Sequence, residues 1–169
     1  MIVVYKNNKL KFKNKIFKCS LGINGLSEHK KEGDGCTPTG DFSLGKIYYR
    51  NDRIKNLKSK KKLIPIRKGM LWSDDPKCNN YNKLNYKKIG SFEKLYRKDN
   101  IYNIFIVINF NINPIVKGRG SAIFLHLKKK NYLPTKGCVA LREEDLIEIV
   151  EKITPKERIK IISEAYISA

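Results

Sequence analysis

At 169 residues the chain has the length of one domain and can bury a full hydrophobic core. Its 36 Lys and Arg residues face only 16 Asp and Glu residues, and the formal net charge of +20 favours nucleic acid, anionic lipid or an acidic polymer as partner. No apolar run approaches the length of about 18 residues that a membrane-spanning helix needs, and no RNA-recognition, zinc-finger or basic-helix pattern supports a nucleic-acid partner. The basic residues are overwhelmingly Lys in a chain also rich in Asn and Ile, which favours compositional bias over a dedicated binding face.

Four cysteines are present, Cys19, Cys36, Cys78 and Cys138, and none belongs to a CxxC pair. The spacing therefore predicts neither a zinc site nor a redox dithiol, and neither a metal nor another cofactor is expected. The apolar run at the start, Met1 to Lys6, is too short for the core of a secretory signal peptide, so a disulfide framework is not predicted either.

The first third of the chain is predicted to form short strands. β-branched and aromatic runs over 2–5, 10–12 and 16–21 are separated by Asn-Asn and Asn-Lys turns, which is typical of hairpins. A glycine-rich loop over 22–40 follows, and a further strand is predicted over 42–49. Loops on a rigid sheet commonly carry functional residues.

The middle of the chain is less regular. The segment 50–62 is strongly basic and is interpreted as a solvated loop, with electrostatic contact to an anionic polymer as the alternative. Residues 64–100 show little periodicity, although 93–99 is predicted to form a helical turn. The continuous apolar run within 101–110 predicts a central strand buried on both faces.

The last part of the chain is predicted to form one helix and one strand. Four apolar residues at i, i+3, i+4 and i+7 make one helix face: Leu146, Ile149, Val150 and Ile153. Pro155 ends the helix, and 159–162 is predicted to be the final strand. The acidic residues at 143–145 suit the positive end of the helix dipole, which favours a thiolate at Cys138 if that end points toward the sulfur.

A histidine and a cysteine close in sequence form the candidate catalytic centre. The stretch 118–141 places an apolar run directly before His126 and, twelve positions later, Cys138 behind Gly137. A free thiol has a pKa of about 8.5, so it needs a base or a positive field to act as a nucleophile at neutral pH, and His126 can accept its proton. A buried structural cysteine and a hydrogen-bonded histidine at a strand end are the alternative.

Neighbouring residues complete this candidate centre. Gly137 allows a sharp backbone turn, and the N–H of Cys138, alone or with that of Gly137, is suited to stabilise an oxyanion. Ser121, or a backbone carbonyl near it, is expected to orient the His126 ring, and the carbonyl is the preferred candidate.

Two further motifs lie in the order that a known family shows. The segment TPTGDF at 37–42 resembles the TPxGxF signature of the L,D-transpeptidase (YkuD-like) catalytic domain, and TKGC at 135–138 resembles its S/T-x-G-C active-site motif. His126 falls where that family has its upstream histidine. The ordered set, with compatible spacing, extends the resemblance from residue 2 to residue 162.

The resemblance points more closely to a proteobacterial branch with EGDGxTPTG, a Trp followed by Asp-Asp-Pro, GRGSAIFLH and PTxGCVAL, all of which occur here. The commonest family form is SHGC followed by an apolar residue and Arg, where this chain has Lys136 and Ala140. Substrate carboxylates are therefore expected to meet other cations. Arg119 is the nearest candidate, with a solvated loop arginine as the alternative.

Trp72, Asp74 and Asp75 are the candidate substrate-binding residues of the middle segment. The resemblance includes this stretch, and the hypothesis is that Trp72 lines a cleft in which one of the two carboxylates receives the amino group of a diamino acid. A turn that follows a core tryptophan is the alternative.

The resemblance implies a mixed, β-rich α+β fold: a single β-sandwich-like catalytic domain over 1–169 with one main helix after the cysteine. It implies a peptidoglycan L,D-transpeptidase that joins a donor and an acceptor stem peptide through a Cys138 thioester, without metal or ATP. The alternatives are an L,D-carboxypeptidase or endopeptidase that admits water, and a basic module that binds nucleic acid or wall polymer. A monomer in the cell envelope is expected. Because no signal peptide is visible, a removed leader, an unconventional export route and a cytoplasmic location are the alternatives.

Overall fold

The computed structural model describes all 169 residues. One α-helix, α1 (Glu143–Lys152), and one 3₁₀ turn, Lys130–Tyr132, accompany fourteen strands. The strands in chain order are β1 (Ile2–Tyr5), β2 (Lys9–Phe12), β3 (Lys15–Lys18), β4 (Leu26–Ser27), β5 (Thr37–Pro38), β6 (Gly40–Tyr49), β7 (Leu63–Pro65), β8 (Leu71–Ser73), β9 (Leu84–Asn85), β10 (Phe92–Lys94), β11 (Ile104–Ile108), β12 (Phe124–Leu127), β13 (Val139–Leu141) and β14 (Arg158–Ile162). The predicted mixed, β-rich fold with one main helix after Cys138 is confirmed.

One large sheet organises the fold, with its strands in the order β13-β12-β11-β6-β14-β1-β2-β3 and β7 paired to β6. The chain beyond β3 meets the opposite edge: the N–H of Ser20 donates to the carbonyl of Ala140 at 2.8 Å, and the N–H of Ala140 donates back at 3.0 Å. The sheet is therefore nearly closed. This closure brings the glycine-rich loop that follows Ser20 alongside β13.

Alternating apolar residues explain the outer strands of this sheet. Ile2 and Val4 in β1 are fully buried, and so are Ile159 and, to within 1%, Ile161 in β14. The two strands run parallel, with Ile2 opposite Ile159. Residues two apart share a face of a strand, so one face of each strand enters the core. The predicted bounds of the first strand agree with β1.

The helix and the central strand form the middle of the main core. All five residues of β11 are buried, and α1 packs on β11 and β12. The predicted apolar helix face is fully buried: Leu146, Ile149, Val150 and Ile153. With ten residues, α1 is too short and too polar to cross a membrane, and it is the longest helix in the fold.

A second, mainly aromatic cluster lies on the other side of β11 and β12. It includes Trp72, Tyr102, Phe105 and Phe124 and is covered by a small sheet in the order β10-β8-β9. The predicted helical turn over 93–99 is wrong, because β10 pairs with β8 there. Tertiary pairing and the burial of this segment against the aromatic cluster override its local preference.

Candidate active site

Adjacent parallel strands bring the histidine and the cysteine together. His126 lies in β12 opposite Ala140 of β13, and Cys138 directly precedes β13. Cys138 is two residues before Ala140, the residue opposite His126. Because alternate residues of a strand point to one face, the side chains of Cys138 and His126 lie on the same face. Both line one cavity of about 350 Å³.

Charged side chains of both signs line this cavity. The three acidic residues are Glu32, Asp74 and Glu93. The four basic residues are Lys30, Arg97, Lys129 and Lys136. The electrostatic influence of Lys129, Arg97 and Asp99 reaches the His126 ring, and that of Asp74 and Lys30 reaches Glu32. Lys30 is paired with Asp34, and Arg97 is paired with Asp99. The unpaired carboxylates of Glu32 and Asp74 therefore form an acidic side of the cavity, and the unpaired Lys129 lies toward the imidazole.

The thiol of Cys138 has two backbone partners. Sγ donates to the carbonyl of Ala122 at 3.1 Å and accepts the N–H of Phe124 at 3.4 Å. Burial raises the pKa of the Cys138 thiol to about 12, and the amide of Phe124 opposes this only in part. The resting sulfur is therefore a protonated thiol, with its hydrogen directed at Ala122.

The imidazole of His126 is held in one tautomer. Its Nδ1 lies 2.8 Å from the carbonyl oxygen of Leu127, and because a carbonyl only accepts, Nδ1 carries the hydrogen and Nε2 keeps a lone pair. The edge-on ring of Tyr102, 5.4 Å away between centroids, supports the imidazole. Burial lowers the pKa of His126 to about 4, so the ring is neutral at pH 7 and Nε2 is a free proton acceptor.

Ser121 does not orient the imidazole. Its hydroxyl donates to Glu32 Oε2 at 2.9 Å, and the carbonyl next to Nδ1 belongs to Leu127. A backbone carbonyl, that of Leu127, does contact the His126 ring, as was preferred from the sequence. The hydroxyl of Ser121 does not contact the ring.

The helix does not supply a field for a thiolate. Strand β13 separates Cys138 from Arg142, the residue that precedes α1, and four extended residues cover about 13 Å. Because the effect of a helix dipole is confined to the first turn, it does not reach the sulfur. The condition under which the sequence favoured a thiolate is not met, and the site holds a neutral thiol and a neutral imidazole.

The loop before the nucleophile explains the sequence Thr-x-Gly-Cys. Thr135 Oγ1 donates to the carbonyl of Cys138 at 2.6 Å and accepts the N–H of Gly137 at 3.0 Å. Gly137 has φ +144°, and a Cβ there would lie 2.8 Å from the carbonyl oxygen of Cys36. A side chain at position 137 would therefore collide with the neighbouring loop.

The same contacts decide which amide faces a substrate. The N–H of Gly137 is committed to Thr135, whereas the N–H of Cys138 has no acceptor in the protein. Of the two amides considered as oxyanion donors, only that of Cys138 is free.

A hydrogen-bond network holds the carboxylate of Glu32 at the cavity. Tyr81 donates to Glu32 Oε2 at 2.5 Å, Ser121 donates to the same oxygen at 2.9 Å, and the N–H of Gly120 donates to Tyr81 at 2.9 Å. Burial raises the pKa of the Glu32 carboxyl, the two hydroxyl donors oppose this, and the charge of Asp74 adds to it.

The predicted substrate-binding residues separate into two groups. Asp74 lines the cavity and accepts the hydroxyl of Ser91 at 2.5 Å. Asp75 lies outside the cavity and accepts the N–H of Lys77 at 2.9 Å, as the first residue of a turn. Arg119 is exposed on its loop and does not line the cavity either, so neither Asp75 nor Arg119 is placed to contact a substrate at the thiol.

Trp72 is a core residue. It is 6% exposed, and its ring meets Phe124 edge-to-face with centroids 5.1 Å apart. Its Nε1 donates to Asn82 Oδ1 at 2.9 Å. The tryptophan therefore lies beneath the strand that carries His126 and does not line the cavity of Cys138, which agrees with the alternative of a core tryptophan.

Several cavity residues had no predicted role. Glu32 belongs to the EGDG segment, which gave it a signal in the sequence, but its contacts to Tyr81 and Ser121 span 49 and 89 positions. Tyr102 precedes the central strand and Lys129 follows His126 by three residues, and neither has a local pattern that predicts its place. Glu93 and Arg97 fall in the segment that was wrongly predicted as helical.

Residues 1–161 match the family model described as the L,D-transpeptidase catalytic domain, YkuD, and no curated protein matches. One similar solved structure is the helical cell shape determining protein Pgp2 from Campylobacter jejuni, with 16% identity and a TM-score of 0.47, covering 99% of this chain and 49% of that chain. A mutant of Pgp2 gives 16% identity and a TM-score of 0.48, with 99% and 48% covered. The chain thus spans about half the length of these structures.

The family match covers nearly the whole chain, including both strands of the site and the loop before Cys138. The chain therefore belongs to the L,D-transpeptidase catalytic domain (YkuD) family.

Proposed function

We propose that the protein is a peptidoglycan L,D-transpeptidase that acts in the cell envelope and joins two stem peptides through a thioester on Cys138. One observation carries the proposal: the thiol, a neutral imidazole with a free Nε2 and an uncommitted backbone N–H lie in one cavity. These are the nucleophile, the base and the oxyanion donor that acyl transfer requires.

In the first step Cys138 attacks the carbonyl at the L-centre of the donor's diamino acid. Because the resting thiol and imidazole are both neutral, the thiol proton moves to His126 Nε2 as the carbon–sulfur bond forms. The backbone N–H of Cys138 donates to the oxyanion. The imidazolium then protonates the leaving amine, and the thioester remains.

In the second step the amine of another stem peptide attacks the thioester. His126 accepts a proton from the attacking amine, the new amide bond forms, and the proton returns to the departing sulfur of Cys138. No bond in this sequence needs ATP or a metal ion for its atoms and electrons to balance.

The charges of the cavity suit a substrate with both an ammonium and a carboxylate group. The carboxylates of Glu32 and Asp74 form no ion pair with the protein's own cations, although cations outnumber acids in the chain by 36 to 16. Lys129 and Lys136 are likewise without an ion-pair partner. The acidic side receives the amino group of the diamino acid, and the two lysines take the role first given to Arg119.

A hydrolase that uses the same acyl-enzyme is the second candidate. The charged lining of the cavity favours it, because such groups keep water close to a thioester. Water would then replace the acceptor amine, and the products would be shortened stem peptides.

Mass spectrometry of purified disaccharide-peptides after incubation with the wild type and with Cys138→Ala tests this proposal. Cross-linked dimers that form only with the wild type support the transpeptidase, and fragmentation locates the new bond. Shortened monomers without dimers would replace it by the hydrolase. No change with any donor length would overturn both.

A further inference from the structure

The side chain of Asn82 is buried, 2% exposed, and all of its hydrogen-bonding groups are used. Its Oδ1 accepts from Trp72 Nε1 at 2.9 Å and from the N–H of Ala122 at 3.1 Å. Its Nδ2 donates to the carbonyls of Phe110 at 3.3 Å and Asn111 at 2.7 Å. Because the first two partners only donate and the last two only accept, the amide has one possible orientation.

One residue connects this amide to the nucleophile. The N–H of Ala122 binds Asn82, and the carbonyl of Ala122 accepts the thiol hydrogen of Cys138 at 3.1 Å. Ala122 has φ +52°, a left-handed conformation that is unfavourable for a residue with a Cβ. The contact to Asn82 stabilises this conformation.

A second connection starts from Trp72. Its ring packs edge-to-face on Phe124, and the N–H of Phe124 donates to Cys138 Sγ at 3.4 Å. Both backbone partners of the sulfur, Ala122 and Phe124, therefore rest on the hydrogen-bonded pair of Asn82 and Trp72.

We propose that Asn82, supported by Trp72, is a positioning residue that fixes the side-chain rotamer of Cys138 and the direction of its thiol hydrogen by holding Ala122 in its left-handed conformation. The inference rests on the proposed function for its meaning in catalysis. Its geometry involves neither the substrate nor the charged lining of the cavity.

Loss of the amide has two expected consequences of opposite sign. In Asn82→Ala, kcat for the peptide reaction falls about tenfold while KM stays within about twofold, because the sulfur is misplaced but the binding groups are not. Alkylation of Cys138 by iodoacetamide at pH 8 becomes faster by several-fold, because a thiol without its carbonyl acceptor ionises more readily. Alkylation is followed on the Cys138 peptide by mass spectrometry, which separates it from the other three thiols.

A rescue variant separates positioning from general damage. Glycine adopts positive φ without penalty, so Ala122→Gly in the Asn82→Ala background restores most of the lost kcat. Trp72→Phe keeps a ring on Phe124 but removes the Nε1 donor, and gives a smaller effect in the same directions. Asn56→Ala is the matched control, since Asn56 has φ +56°, close to the φ +55° of Asn82, but is exposed and its side chain forms no hydrogen bond.

The inference would be overturned if Asn82→Ala or Trp72→Phe folds and keeps the wild-type kcat and the wild-type alkylation rate of Cys138. It would also be overturned if Ala122→Gly does not restore kcat in a folded Asn82→Ala enzyme. If Asn82→Ala does not fold, Trp72→Phe decides with the same two measurements. Alkylation needs no peptide, so it tests the positioning role even if the wild type cross-links nothing and the proposed function fails.

Discussion

Two cavities of this protein differ in what lines them. The cavity of Cys138, about 350 Å³, holds the thiol, the imidazole and three carboxylates, whereas a second cavity of about 790 Å³ holds none of these. The second is lined by Trp72 and Asn82 together with five lysines: Lys46, Lys60, Lys61, Lys62 and Lys83. In a chain of charge +20, lysines at a surface are expected anywhere, but carboxylates without an ion pair beside a nucleophile are not. This difference is why we propose the smaller cavity as the reactive one and assign no chemistry to the lysines alone.

The largest effect is expected from the base. His126→Gln removes the Nε2 acceptor and should lower the rate of peptide transfer by about 10²- to 10⁴-fold, the usual range for general-base catalysis. The measurement is the rate of product formation. His29→Gln is the matched control, because His29 is the chain's other histidine, is exposed and lies outside the cavity. Equal rates for the two variants would contradict the role given to His126.

The same imidazole predicts how stability depends on pH. Its pKa is lowered by burial from 6.5 to about 4 in the folded protein, so between these values the unfolded chain binds a proton that the folded one does not. The neutral ring therefore contributes about 3 kcal/mol to the free energy of unfolding above pH 6.5. This contribution is lost as the pH falls from 6.5 through about 4. Urea unfolding from pH 7 to 4 should show this loss in the wild type relative to His126→Gln. Parallel curves for the two proteins would contradict the burial of a neutral ring.

How far the sequence predicted the fold depends on whether the signal was local. The first strand follows from a β-branched and aromatic run bounded by turn residues, and the helix face follows from i, i+3, i+4 spacing; both are confirmed. The cysteine and histidine lie on neighbouring strands within one short stretch, so their proximity could also be predicted. The sequence left Trp72 open between a cleft residue and a core residue, because its burial on Phe124 is a tertiary contact without a local pattern.

The acidic side of the site could not be assembled from the sequence for the same reason. Glu32, Tyr81 and Ser121 meet across 49 and 89 positions, and only the tertiary packing of three separate loops brings them together. Asp74 and Asp75 show that neighbours in the sequence can separate in the structure. Asp74 lines the cavity, whereas Asp75 lies outside it and accepts a hydrogen bond within a turn.

An intermediate effect is expected at Glu32. In Glu32→Gln the amide oxygen still accepts from Tyr81 and Ser121, but the charge that faces a substrate ammonium is lost. KM for a donor peptide with a free amine should rise about tenfold, which corresponds to a loss of about 1.4 kcal/mol in binding free energy. KM for the same peptide with an acetylated amine should not change. Asp75→Asn, which removes a charge outside the cavity, should change neither value. Equal losses with both peptides would show that Glu32 acts only on the structure.

The smallest effect is expected from the second cavity. Replacing Lys60 and Lys62, both exposed, by Gln should leave kcat/KM for short stem peptides within about twofold, because surface charges contribute little. The measurement is product formation at two salt concentrations. A large, salt-dependent loss would show that the basic segment 50–62 takes part in substrate binding.

The central claim, a thioester on Cys138, is tested most directly by the intact mass of the protein after rapid acid quenching with a donor stem peptide and no acceptor. The account predicts a mass increase equal to the donor acyl group, present in the wild type, absent in Cys138→Ala and located on the Cys138 peptide after digestion. An adduct that survives in Cys138→Ala, or that lies on Cys36 or Cys78, would contradict it.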